Sequence, residues 1–159
     1  MPINVDMTGN TLVVDAVVAG AAIIPLTADA TLTKAAHSGR IMTLSKVDGL
    51  TATLPAATGS GAVYRFVVIA TTTSNAYKIS AGTSKFCGTA LMDDGDGEPA
   101  NGWTSASASN DFINLGGTTN ATGGVIGDFV TITDIGSGLY HALVTGSQAG
   151  TEATPFADA

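Results

Sequence analysis

The stretch that decides the fold is Ala35–Ile69, AAHSGRIMTLSKVDGLTATLPAATGSGAVYRFVVI. Arg40–Ser45 reads as a strand, and Asp48-Gly49 marks a turn after it. Leu50, Ala52 and Leu54 then face one way while Thr51 and Thr53 face the other, the two-residue alternation of a half-buried strand. Pro55 ends that strand, because proline cannot donate to a ladder. After a Gly59-Ser60-Gly61 loop, Val63–Ala70 carries Val63, Arg65, Val67 and Ile69 on one face and Tyr64, Phe66 and Val68 on the other. Both faces are mostly apolar, which predicts a central strand covered on both sides.

Outward from this stretch the pattern continues. Tyr77–Ser80 and Phe86–Met92 read as strands, residues 93–110 as a long loop, and Asn110–Leu115 as a further strand. Gly116–Gly127 is a Gly/Thr/Asn loop. The best hairpin pairs Phe129–Asp134 with Leu139–Thr145 around Gly136-Ser137-Gly138. Strand signals recur at roughly the 8–12-residue spacing of sandwiches and barrels, and no segment sustains a helical apolar period. The expected fold is all-β: an antiparallel β-sandwich or barrel, jelly-roll-like, with an extended N-terminal arm. Residues 34–146 form the sandwich domain and residues 147–159 an extended, peripheral tail.

Residues 1–33 differ. A turn signal at Thr8-Gly9-Asn10 leads into TLVVDAVVAGAAIIPL, where neither face is clearly polar. Two readings stay open: an arm or edge hairpin packing on another surface, or an ordinary first strand pair. The apolar run Leu12–Leu26 is too short to span a bilayer and is interrupted by Asp15, and it lacks the basic start of a secretory signal. Release from a cell is then expected by another route, such as lysis.

Composition bounds function. The 159 residues suit one domain, long enough to bury roughly 70% of the unfolded surface. Apolar residues make up 45% and charged residues 12%, too much of the first and too little of the second for disorder. A surface this poor in charge suggests coverage by a partner or by copies of the chain. The net charge is −7, and Lys34, Arg40, Lys46, Arg65, Lys78 and Lys85 are scattered singly, so no nucleic-acid or anionic-membrane partner is expected. A lone Cys87 excludes an internal disulfide and reads as a small buried hydrophobe, compatible with assembly in a reducing cytosol.

Chemistry is sparse. Asp93-Asp94-Gly95-Asp96-Gly97-Glu98 is the carboxylate cluster, and such a turn could offer Ca²⁺ oxygens at roughly 2.3–2.6 Å. Its spacing misses the D-x-[DN]-x-[DN]-G loop and no bidentate Glu follows, so a solvated turn is expected, with no metal and no cofactor. Gly95–Ala100 also reads G-x-G-x-x-A, but Pro99 and the nearby acids argue against a dinucleotide fold. His37 lies in a turn and His141 on the strand face of Leu139 and Leu143. Without a G-x-S-x-G elbow or well-placed paired acids, no catalytic set is expected and the chain reads as no enzyme. Asn120-Ala121-Thr122 is a glycosylation sequon that carries no weight without secretion. Trp103 either plugs one end of the sandwich or offers an aromatic for a sugar or an interface.

Several segments carry a resemblance: Ala36–Arg40 (AHSGR), Thr53–Gly61 (TLPAATGSG), Tyr64–Val68 (YRFVV), Gly127–Asp134 (GDFVTITD) and Gly150–Phe156 (GTEATPF), together spanning roughly residues 34–156. The chain resembles the capsid decoration (cement) proteins and small head-associated virion proteins of tailed bacteriophages. TLPAATGSG also resembles turns of phage fibres and spikes. The resemblance implies a non-enzymatic virion protein on the outer capsid surface, a homotrimer near threefold axes that contacts the major capsid protein and stabilises the shell. Interface residues are then expected in the arm (Leu12, Val14, Ile23, Ile24) and tail (Phe156), with Tyr64, Phe66 and Val68 in the core or at a trimer axis. The alternative is a tail-fibre or spike module reading a host glycan or surface protein, with Trp103 and the acidic loop as its rim.

Overall fold

A computed structural model describes residues 23–158 throughout and, for the backbone alone, residues 3–7 and 10–14. The described chain is almost entirely β. Strands β1 (Ile3–Met7) and β2 (Asn10–Val14) pair antiparallel in a two-stranded sheet of their own. There follow β3 (Ile23–Leu26), β4 (Ala30–Thr31), a single-turn helix α1 (Lys34–His37), β5 (Ile41–Leu44), β6 (Leu50–Thr53), β7 (Val63–Val68) and β8 (Ala76–Ser80). The second half supplies β9 (Lys85–Asp94), β10 (Asn101–Thr104), β11 (Phe112–Gly116), β12 (Phe129–Gly136), β13 (Leu139–Gln148) and β14 (Phe156–Ala157).

From β3 to β8 successive strands alternate between two sheets. β3, β5 and β7 lie side by side in one, β4, β6 and β8 in the other, all parallel to their neighbours. The chain thus winds as three turns of a β-coil. Its rungs stack through repeated contacts: the Leu32 N–H donates to the Thr53 carbonyl at 2.8 Å, and one rung on, Leu54 donates to Ser80 at 2.8 Å. On the other side the Thr73 N–H reaches the Val47 carbonyl at 2.9 Å. Gly49 lies in that arch at φ +80°, and a Cβ there would collide with the carbonyl oxygens of Asn75 and Ala76 in the next rung. Only glycine fits both the conformation and the approach.

The second half extends the coil. β12 and β13 form the expected hairpin, with Ser137 at φ 55° in its turn, and β12 pairs antiparallel with β7. β9 lies parallel to β13 over its whole length, and β10 closes that edge. The seven-stranded sheet therefore runs β10-β9-β13-β12-β7-β5-β3, and the five-stranded sheet β14-β11-β8-β6-β4.

Alternate residues of the two sheets meet in one core. Met42, Leu44, Tyr64, Phe66, Val68, Phe86, Ala90, Val130, Ile132, Tyr140 and Val144 face Leu50, Ala52, Tyr77, Ile79, Ile113 and Leu115. Burying a side chain of this size contributes about 1.5–3 kcal/mol. Two buried tyrosine hydroxyls are satisfied by carbonyls, Tyr77 by Ala70 at 2.7 Å and Tyr140 by Pro55 at 2.6 Å.

Several expectations are corrected. The antiparallel, jelly-roll-like wiring gives way to mixed sheets, because the short loops after β3, β5 and β7 cross between sheets instead of folding back as hairpins. Val63–Ala70 is covered on one side only: Tyr64, Phe66 and Val68 are core, while Val63, Arg65 and Val67 are half-buried and Ile69 is exposed. The sandwich takes in β3 and β4, since Leu26 and Leu32 are buried and Ile24 packs on the core. The tail is no loose appendage. Its β14 extends the smaller sheet, pairing Phe156 with Ile113, and buries Phe156. The 93–110 loop contains β10, and Cys87 is half-buried rather than buried, its thiol donating to the Tyr140 carbonyl at 3.5 Å.

Candidate functional site

Two features outside the core gather side chains to one place. The first is the outward face of the seven-stranded sheet. Register puts Ile41, Arg65, Thr131, Leu143 and Thr89 in one row across β5, β7, β12, β13 and β9. The next row holds Thr43, Val67, Phe129, Thr145 and Leu91. Ile23 extends the first row at the β3 edge. Apolar side chains stand open here: Ile23 is 63% exposed, Leu91 59% and Leu143 40%. Arg65 is the charged side chain of these two rows, and threonine fills the polar positions. Beside Leu91 a shallow concavity of about 340 Å³ is lined by Ala100, Gly102 and Thr145. A β-branched surface with so little charge loses little on dehydration, so it is suited to contact with another apolar protein face.

The second is the sheet end where β9 and β13 finish. Gln148, last residue of β13 and register partner of Asp94, is fully buried. Its amide donates to the carbonyls of Ala121 and Ala153 at 2.7 and 2.6 Å, and its carbonyl accepts the Trp103 indole N–H at 3.1 Å. One side chain thereby ties β10, the 116–127 loop and the C-terminal segment together. The result brings Glu152 to Asp94 and Asp96, with one carboxylate oxygen of each within 4.8 Å of the others. The Asp96 N–H donates to Asp94 Oδ1 at 3.2 Å, and the Gly150 N–H to Asp96 Oδ2 at 2.8 Å. The neighbouring Asp96 carboxylate, burial and the charges of Asp96 and Glu152 push the Asp94 carboxyl above its ordinary value. Asp96 is lowered by its contact with Asp94 and by the Gly150 N–H.

A fourth carboxylate is structural. Asp134, buried at the end of β12, accepts the backbone N–H groups of Thr58, Gly59, Ser60 and Gly136 at 2.8–3.2 Å and the Ser60 hydroxyl at 2.7 Å. This is what fixes the TLPAATGSG loop. Burial alone would raise the Asp134 carboxyl, but the Ser60 hydroxyl and the Ser60, Gly59 and Thr58 N–H groups hold it well below the usual carboxylate range.

The residues singled out from the sequence fall in different places. Ile23 stands on the outward face. Tyr64, Phe66, Val68 and Phe156 are buried in the core, and Ile24 is half-buried against it. Trp103 is half-buried, packs against the core and donates its N–H to Gln148. Leu12 and Val14 lie in β2, and their side chains are outside the described residues. His141 is exposed on the outward face beside Leu143. Sequence reasoning missed Glu152, which lies more than fifty positions from the acidic turn. It also missed Leu91 and Leu143, whose alternation within strands is the signal that places them outward.

Among the described residues no helix is long and apolar enough to cross a membrane. Comparison with protein-family models, curated proteins and solved structures gave no match.

Proposed function

We propose that this chain is a non-enzymatic virion structural protein that decorates and stabilises the outer surface of a phage capsid, as a trimer near threefold axes. The observation that carries the reading is the outward sheet face, with Ile23, Ile41, Val67, Leu91, Phe129 and Leu143 set among threonines. A face so poor in charge and so rich in open aliphatics is costly to leave in water and favours association. With Tyr64, Phe66 and Val68 committed to the core, this opposite face of the same sheet is the surface the proposal assigns to identical subunits or the major capsid protein. The β1–β2 pair, a two-stranded sheet of its own, suits the role of an arm reaching a neighbouring subunit. Several such contacts per subunit multiply, and binding that is specific to the assembled lattice stabilises it by mass action.

The alternative of a glycan-reading tail-fibre or spike module gains nothing from Trp103, whose indole is held inward. A high-resolution virion reconstruction tests the reading. Density for this chain on the head surface at threefold positions is expected; its absence from the head, or its presence at the tail, overturns the proposal.

A further inference from the structure

We propose that Asp94, Asp96 and Glu152 form a Ca²⁺ site that staples the C-terminal segment to the end of β9. It stands independently of the decoration reading.

The geometry fits. Two oxygens bound to one Ca²⁺ at roughly 2.3–2.6 Å are at most about 5 Å apart, and the three carboxylates offer oxygens all within 4.8 Å of one another. Clustered acids alone prove little, but one oxygen each of Asp94 and Glu152 is buried and has no hydrogen-bond partner among the described residues. Asp94 is 8% exposed, its Oδ1 takes the Asp96 N–H, and its Oδ2 is buried with no hydrogen-bond donor among the described residues. Glu152 Oε1 is likewise buried and unpartnered. An unpaired buried carboxylate oxygen is expensive, and a cation or a proton must offset it. Among the described residues no lysine or arginine pairs with these acids; the ion pairs run from Lys85 to Asp111 and Asp158.

The frame is already rigid. Gly95 donates to the Gln148 carbonyl at 2.8 Å, Gly150 donates to Asp96, and Gln148 fixes Ala153, the residue after Glu152. Binding therefore needs little ordering of the chain. The ligand set is all oxygen, without histidine or cysteine, which selects a hard cation. Asp96 is exposed, so water can complete the six to eight oxygens that Ca²⁺ accepts. Mg²⁺ demands a tighter octahedron at roughly 2.0–2.1 Å and gives up its water reluctantly, so it suits the site less well.

The test is thermal unfolding and calorimetric titration of the full chain after EGTA treatment, with Ca²⁺ or Mg²⁺ added back. Expected are one-site heat with Ca²⁺ and a rise in Tm of about 5–10 °C once Ca²⁺ exceeds Kd about a hundredfold. Asp94→Asn and Glu152→Gln are expected to weaken Ca²⁺ binding about tenfold or more, through the loss of a charged ligand. In EGTA both variants should be as stable as the wild type or more so, since each relieves repulsion; in Ca²⁺ the order should reverse. Wild-type protein that shows neither heat nor a Tm change in millimolar Ca²⁺ overturns the proposal. So does a response to Mg²⁺ as large as that to Ca²⁺, or Ca²⁺ stabilisation that survives in both variants.

Discussion

Asp134 does more for this molecule than any residue of the acidic turn, yet nothing near it in sequence says so. Its partners Thr58, Gly59 and Ser60 lie some seventy-five positions away. The glycines and serine of TLPAATGSG announced a loop, while the carboxylate that closes it looked like one more strand-end aspartate. Asp134→Ala leaves four backbone donors without their acceptor and is expected to cost about 2–4 kcal/mol, read as a lower denaturant midpoint at unchanged slope. The pH dependence has a fixed sign. The folded-state pKa of Asp134 lies below its ordinary value of 3.8, so its contribution is complete above that value and is lost as pH falls from it through the lowered folded-state value. Asp128, accepting N–H groups from Gly124, Val125 and Ser147, is raised by burial, which those three donors only partly oppose. Its difference acts the opposite way, favouring the folded state below 3.8 and fading as pH rises through the raised value. Acid titration followed by circular dichroism is expected to show wild-type stability falling below about pH 4, and falling less steeply in Asp134→Asn.

At the scale of elements, β5, β6, β7, β8, β9, β11 and β12 were legible within a residue or two, and β13 except for its last three residues, because alternation and Gly/Pro punctuation are local signals. Their wiring was not. A short Gly-containing turn such as Asp48-Gly49 serves a hairpin or an arch between sheets equally well, and the choice is made by which faces find a core. β10 was lost because Asn101–Thr104 has too few apolar residues to declare a strand, and it forms only because β9 offers an edge. Two glycines mark the places where backbones approach each other. Gly49→Ala puts a methyl against the Asn75–Ala76 carbonyls, and Gly88→Ala, at φ +148° in the β9–β13 ladder, puts one against the Ala142 carbonyl. Each is expected to destabilise by about 1–3 kcal/mol, visible as a fall in Tm, because the obstacle is backbone rather than a side chain that can rotate away.

For the whole molecule, composition gave the apolar excess and the scarcity of charge but not their placement; Ile23, Leu91 and Leu143 stand open on the outward sheet face. The carboxylate trio was legible only by half: Asp94 and Asp96 stand in the acidic turn, but Glu152 joins them through the fold of the C-terminal segment around Gln148. Leu91→Lys and Leu143→Lys change exposed positions and should leave Tm within about a degree or two, since surface substitutions shift stability by about 0.5 kcal/mol or less. In the proposed role they should abolish self-association. The most direct measurement is therefore the mass in solution by light scattering, for the wild type and for the Leu91→Lys/Leu143→Lys double variant. The account predicts three times the 15.7 kDa chain mass for the wild type and a single, folded chain for the variant. A monomeric wild type, or a trimer that the two lysines leave intact, would contradict it.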